Sequence, residues 1–261
     1  MLRRVTDLTG YRIEATDDEI GTVQDFYFGD EAWTIRYLVV DTGRWLPGRS
    51  VLLAPEALDR PDWESRRFPV RLTRRQVEQS PGVETDQPVS RQKESELRAY
   101  YRWPLYWTGQ AGFMPAAAGT QTEAVAALQA GAQLAKGKAP STAETTDDPH
   151  LRSANEVIGY DIRALDDEFG HVEDFILDDD TWVIRYLVVD CGNWLSRKNV
   201  LIAPQWIHAI NWPERTVRVG LMKQTIADGP EYTPEVPIHP EYELRLLRHY
   251  KKAATGTTRG R

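Results

Sequence analysis

The chain has one cysteine, Cys191, among its 261 residues, so it holds no intramolecular disulfide and no cysteine-based zinc centre. That scarcity fits a reducing compartment, and a cytoplasmic location is the expectation. Long apolar runs are also missing. No stretch approaches the ~20 uncharged residues of a membrane-spanning helix, and the N-terminal Met1–Glu19 has no apolar centre that would read as a secretory signal. Positive charge is in deficit, 32 basic against 39 acidic residues for a net charge of −7. This disfavours nonspecific nucleic-acid binding, and no specific nucleic acid is expected as a partner. The short basic tail Lys251–Arg261 leaves peripheral membrane contact as the one membrane option. The chemistry-bearing motifs are absent as well: no phosphate loop, dinucleotide fingerprint or nucleophile elbow occurs. The histidines, at 150, 171, 208, 239 and 249, fall at no ligand spacing.

What is present is an internal repeat. Residues 10–55 and 159–204 align without a gap, and more than half of the aligned positions are identical. The longest match is Ile-Arg-Tyr-Leu-Val-Val-Asp, at Ile35–Asp41 and again at Ile184–Asp190. The same register pairs Trp63 with Trp212, Pro81 with Pro230 and Tyr101 with Tyr250. A duplicated domain accounts for all of this.

Within each copy the apolar period is that of strands. Tyr11–Ala15, Val23–Phe28, Trp33–Asp41, Ser50–Leu53, a segment at Trp63 and Phe68–Leu72 are the predicted strands of the first copy. Gly21 and Gly170 close the acidic turns that precede the second strand. Six short strands in about seventy residues predict a small antiparallel barrel whose interior is filled by side chains, Val39 and Leu52 among them. A helix follows each barrel: one after the N-cap Ser90, carrying Leu97 and Tyr101 on one face, and one opened by Pro240, carrying Tyr242, Leu246 and Tyr250. The expected architecture is therefore mainly β, two six-stranded barrels in tandem, each followed by a short α-helix. The expected boundaries are a first barrel at 1–81, its helical extension at 82–107, and a flexible alanine-rich linker at 108–155. The second barrel takes 156–230, and 231–261 form the second helical extension and basic tail.

Both copies carry a strand-turn entry ending in Asp-x-x-Gly-x-Val-x-Asp-Phe, the strand Trp-x-Ile-Arg-Tyr-Leu-Val-Val-Asp, and an Ala-Pro end to the fourth strand. These features resemble the PRC-barrel, the small β-barrel shared by the cytoplasmic part of the photosynthetic reaction-centre H subunit and the C-terminal half of the ribosome-maturation factor RimM. The resemblance covers about 10–81 and 159–230. The run Pro88–Gln92 with Tyr100–Pro104 is similar to the extension of bacterial tandem PRC-barrel proteins. The resemblance implies a protein-docking role, either as a scaffold or as an accessory subunit of a membrane or ribosomal complex.

The residues themselves suggest little catalysis. Asp25, Asp174, Asp41 and Asp190 recur in both copies, and a small-molecule hydrolase at the barrel–barrel interface is the alternative they raise. Turn capping is the simpler role for Asp41 and Asp190, and a structural ion pair for Arg36 and Arg185. Asp17–Glu19 and Asp178–Asp180 lack calcium-loop spacing and read as solvated turns. No catalytic residue, cofactor or metal is expected. Trp33 and Trp182 open buried strands and are expected in the core. The pairs Trp45-Leu46 and Trp194-Leu195 lie in glycine-bounded loops, where they either tuck under the barrel or stand out as contact anchors. Trp45, Leu46, Trp194, Leu195, Tyr101 and Tyr250 are the candidate contacts for a protein partner. The duplication further suggests that the two repeats pack in a pseudo-two-fold arrangement.

Overall fold

The computed structural model describes residues 1–82, 89–107, 151–192 and 198–256, the last five of these by backbone alone. The linker expected at 108–150 lies outside the described residues, as do Trp194 and Leu195.

The first repeat runs β1 (Leu2–Arg4), α1 (Val5–Leu8), β2 (Arg12–Glu14), β3 (Glu19–Gly29), β4 (Thr34–Asp41), β5 (Ser50–Leu53), a 3₁₀ turn at Pro55–Ala57, β6 (Arg67–Pro69), α2 (Arg74–Glu78) and, beyond Val89, α3 (Arg91–Tyr101). The second runs β7 (Leu151–Ser153), α4 (Ala154–Val157), β8 (Asp161–Arg163), β9 (Glu168–Asp178), β10 (Ile184–Asp190), β11 (Asn199–Ile202), a 3₁₀ turn at Pro204–Trp206, β12 (Ile207–Asn211), β13 (Thr216–Val219), α5 (Lys223–Ala227), β14 (Glu231–Tyr232) and α6 (Pro240–Gly256). The fold is mainly β, with two small barrel-like repeats in tandem. One sheet has the order β5-β4-β3-β2-β6, the other β12-β13-β8-β9-β10-β11-β14. In the first repeat the hairpin corresponding to β12–β13 is reduced to bridges at Leu58–Val70 and Asp62–Arg67.

Each sheet also contains one strand from the other repeat. β1 pairs antiparallel with β9 of the second repeat, Arg3 opposite Leu177. β7 pairs antiparallel with β3 of the first, Arg152 opposite Phe28. The reason lies in β3 and β9. Each is eleven residues long, and its own neighbours β2 and β8, three residues each, cover only the first half of one edge. The rest of that edge would be bare backbone, and the exchanged strand closes it. Residues 151–155, read from sequence as linker, therefore belong to the folded second repeat: Leu151 and Ala154 are buried. A three-residue strand whose partner lies more than a hundred residues away leaves no periodic trace.

Two buried carboxylates lock the exchange. Asp25 sits at a bulge of β3 and takes hydrogen bonds from its neighbour Phe26 N at 2.7 Å, from Asn155 N at 3.1 Å and from Ser153 Oγ at 2.5 Å. It thereby caps α4 of the other repeat. Asp174 does the same for α1, accepting from Phe175 N at 2.7 Å, Thr6 N at 3.2 Å and the Thr6 hydroxyl. An arginine straps each arm from outside. Arg3 lies 3.5 Å over the Trp63 ring of its own repeat and pairs at 2.6 Å with Asp179 of the other. Arg152 lies 3.8 Å over Trp212 and pairs at 3.4 Å with Asp30.

The core explains the near-continuous apolar strand. Tyr37, Leu38, Val39 and Val40 are all buried, as are Tyr186 to Val189, which requires cover on both faces of β4 and β10. Gly21 and Gly170 lie inside β3 and β9 rather than closing turns. A Cβ there would sit 2.1 Å from the Asp41 carbonyl oxygen and 1.9 Å from that of Asp190, so close backbone approach demands glycine.

Burial raises the Asp25 and Asp174 carboxyls above their ordinary 3.8, against the opposing pull of their hydrogen bonds. A raised folded-state value means that their stabilising contribution is full below pH 3.8 and is lost as pH climbs through the raised value. Asp25→Ala and Asp174→Ala should each cost about 1–3 kcal/mol in chemical denaturation, from the orphaned donors. Asp25→Asn keeps the acceptor without the charge, so its stability relative to wild type should improve as pH rises from 3.8 through the raised value and then level off. A pH-independent difference would contradict the assignment.

Candidate functional site

A cavity of about 690 Å³ forms an open groove on the second repeat. Its floor is β10 at Ile184–Tyr186, one wall is α6, and the other is the turn Pro204–Trp206. Glu31–Trp33, the β3–β4 turn of the first repeat, closes one end.

Local sequence positions each part. Pro240 opens α6, where its missing N–H costs nothing, and Glu241 and Glu243 lie in the first turn at the positive end of the helix. Leu246 and Tyr250, one turn apart, are buried against the barrel, Tyr250 with its ring centroid 6.1 Å from that of Trp206. Gly229 makes room: a Cβ there would lie 3.0 Å from the Tyr250 hydroxyl. Burial pushes that phenol strongly up, and its oxygen has no hydrogen-bond partner among the described residues. His249 Nε2 lies 2.7 Å from Thr225 O, which ties α6 to α5. On the adjoining face, Leu244 is 52 % exposed and Leu247 36 %. Glu243 is held from the barrel side: Tyr186 donates its hydroxyl to Oε1 at 2.7 Å, and Arg185 approaches the same oxygen at 3.8 Å. Oε2 carries no bond among the described residues.

Trp33 reaches the groove through an unusual backbone. It and its counterpart Trp182 adopt φ of 50° and 58°, the left-handed region that a bulky residue seldom occupies. Reciprocal hydrogen bonds hold both: Ile184 N donates to Trp33 O at 2.7 Å, and Ile35 N to Trp182 O at 2.8 Å. Both indoles are half-buried at this junction of the repeats rather than in a barrel core, Trp33 stacked on Phe28 and Trp182 on Phe26. Alternating patterns mark which strand residues face inward, and they do not register a turn whose cover comes from the other repeat.

The residues singled out from sequence are dispersed. Trp45 is half-buried, donating its indole N–H to Ile20 O at 2.8 Å beneath the Arg74 guanidinium. The Leu46 carbonyl lies 2.9 Å from the Thr42 hydroxyl, which also lies 2.6 Å from Arg49 O, so this loop is tied down at its base. Tyr101 stacks on Trp103, ring centroids 4.3 Å apart. Of the four candidates among the described residues, Trp45, Leu46 and Tyr101 do not line the groove and Tyr250 does. Leu244, Leu247 and Trp206, which do so as well, were not singled out. The signal available was a helix with leucines on two faces where one face suffices for docking.

The acidic clusters are engaged in structure. Asp17 Oδ1 accepts from Arg74 N and Asp166 Oδ1 from Lys223 N, capping α2 and α5 at 2.8 and 2.7 Å. Asp41 and Asp190 cap their turns through Gly43 N and Gly192 N. Asp178, Asp179 and Asp180 bring three carboxylates close together, but Asp179 is paired with the Met1 ammonium and Arg3. Asp25 and Asp174, the carboxylates that raised hydrolysis, are the buried caps already described. Arg185 pairs with Glu243, as a structural role requires.

Cys191 is buried, and desolvation pushes its thiol up to about 11. Native protein at pH 8 should therefore react with a thiol reagent at a rate set by opening of the barrel, not by the thiol. Addition of denaturant should raise that rate in step with the unfolded fraction; immediate stoichiometric labelling of native protein would contradict this burial.

A family model for the PRC-barrel domain matches residues 2–60 and 149–222, just over half of the chain. Both matches begin before the residues where the repeat is visible by eye, and both include the exchanged arms. No curated protein matches the chain. No helix among the described residues is long and apolar enough to cross a membrane.

Proposed function

The chain belongs to the PRC-barrel family, and from that premise we propose that it is a non-enzymatic docking protein of the cytoplasm, whose paired repeats present the groove along α6 to a protein partner. The observation that carries this reading is the pair of exposed leucines, Leu244 and Leu247, on a helix that already buries Leu246 and Tyr250. A helix needs one apolar stripe to dock on its barrel. A second stripe bordering a cavity with Trp206, Pro204 and Trp33 costs solubility unless something covers it. Aromatic and aliphatic side chains around a concave surface, with one polar group to fix orientation, are the composition of a recognition site. The hydrolase alternative finds less support, since the recurrent buried carboxylates are spent on capping.

The test is affinity capture from the native cell with wild-type chain and with Leu244→Glu in parallel. A partner retained by wild type and lost at least tenfold with the variant is the expected outcome. Equal retention by both would move docking to another surface, and retention of nothing by either would count against docking altogether.

A further inference from the structure

The first repeat contains its own version of the α6 face, and there the face is occupied. α3 and α6 correspond through Glu94 and Glu243, Leu97 and Leu246, and Tyr101 and Tyr250. At the end of α3, Arg102 takes the left-handed conformation, φ 59°, and Trp103 N bonds back to Arg98 O at 2.8 Å. The chain therefore reverses, and Pro104–Trp107 runs back along its own helix. Tyr106 donates its hydroxyl to Glu94 Oε2 at 2.8 Å, and the Arg98 guanidinium lies 4.7 Å from the Tyr106 ring centre. Arg98 also donates to Pro104 O at 2.6 Å, while Arg91 lies over Trp107. A tyrosine, with a proline before it and a tryptophan after it, thus covers the positions equivalent to Glu243 and Leu247.

In the second repeat this cover is missing among the described residues, for a reason legible in the sequence. Lys251, the counterpart of Arg102, stays helical, and α6 continues to Gly256. The stretch corresponding to Trp103–Trp107 reads Lys-Ala-Ala-Thr-Gly, with neither proline nor aromatic ring. The acceptor nevertheless persists: Glu243 lines the groove with Oε2 unbonded. Arg98, which stacks on Tyr106, is replaced by Leu247, so the second helix offers a neutral apolar seat where the first offers a cationic one.

We propose that the groove of the second repeat binds an extended segment of a partner protein that carries a tyrosine in a proline-aromatic stretch, the tyrosine hydroxyl donating to Glu243 Oε2 and its ring lying against Leu247 and Leu244. The inference rests on the docking role and specifies its ligand. Glu243 is half-buried, and a ring laid over it takes its free oxygen further from water; tyrosine is then favoured over phenylalanine, because an unmatched hydroxyl-binding site is left with a stranded polar group. The apolar rim supplies the area and the carboxylate the register.

The experiment is fluorescence polarisation of the full-length protein with a labelled peptide copying Arg102–Trp107, against wild type, Leu244→Glu and Glu243→Gln. Leu244 is solvent-facing and Gln preserves the Tyr186 contact, so both variants should keep the wild-type Tm. Saturable binding is expected, weakened at least tenfold by Leu244→Glu. Replacing the peptide tyrosine by phenylalanine should weaken it about fivefold on wild type and less than twofold on Glu243→Gln. No saturable binding, binding indifferent to Leu244→Glu, or a phenylalanine penalty undiminished on Glu243→Gln would each overturn the proposal. So would a homodimer in sedimentation velocity that Leu244→Glu abolishes, since a second copy would then be the occupant. If the peptide fails while cellular capture still depends on Leu244, docking stands and only the tyrosine ligand falls.

Discussion

The structure depends on a backbone edge that neither repeat can cover alone. A bare strand edge offers unpaired N–H and C=O groups to any other chain, and proteins bury, break or charge such edges. Here the outer halves of β3 and β9 are buried by exchange, each under the first strand of the other repeat. Much of the remaining detail follows. The arms must be capped where they turn into α1 and α4, and the bulge carboxylates Asp25 and Asp174 of the other repeat supply acceptors for the Asn155 and Thr6 amides. Those carboxylates must be buried to do it, with the desolvation cost that this implies. Arg3 and Arg152 then hold each arm between an indole of one repeat and a carboxylate of the other. The two barrels joined in this manner form one compact unit, Met1–Val89 with Pro149–Arg261, and Ser90–Asp148 form a second.

The fold class was legible because barrel strands carry their signal locally. β4 and β10 are runs of β-branched and aromatic residues bounded by aspartate and glycine, and Ser90 announces α3 by its own side chain, accepting from Lys93 N at 3.3 Å. What escaped the sequence was whatever depends on the other repeat. Leu151–Ser153 is too short for a period. Gly21 reads from sequence as a turn residue with positive φ, which it has, and only the position of the Asp41 carbonyl shows that close backbone approach inside a strand is what demands it. Asp25 and Asp174 invited a catalytic reading because recurrence marks importance without saying of which kind. The groove was half legible: Tyr250 was named, whereas Leu244 and Leu247 stand off the stripe that a docked helix needs, and their exposure is known only once the helix is placed.

The two copies have diverged unevenly, and the pattern follows burial. Identity is dense in Ile35–Asp41 and Ile184–Asp190, where cover on both faces leaves no room for a change of volume. The helices that follow keep Glu94 and Glu243, Leu97 and Leu246, and Tyr101 and Tyr250, and change the rest. Position 98 is a buried arginine engaged with Pro104 and Tyr106, while its counterpart 247 is an exposed leucine. Residues after Tyr101 reverse the chain, and those after Tyr250 prolong the helix. One copy thus satisfies its helix face internally, and the other leaves the face open.

The open face is tied to the exchange that builds the molecule. Trp33, at one end of the groove, comes from the first repeat, yet its left-handed backbone is fixed by the Ile184 amide of the second, a residue of the groove floor. A left-handed tryptophan persists only where its surroundings over-determine it, and here the surroundings are the other repeat. Phe28, on which Trp33 stacks, is in turn the residue paired with Arg152 of the exchanged strand β7. Loss of the β7–β3 pairing would therefore release Phe28, then Trp33, then one end of the groove, without touching α6 itself. The cavity belongs to the intertwined pair and not to the second barrel alone. This gives the duplication a physical consequence: the second repeat supplies the helix and the acceptor, the first supplies the aromatic end, and neither makes the surface without the strand it lends the other.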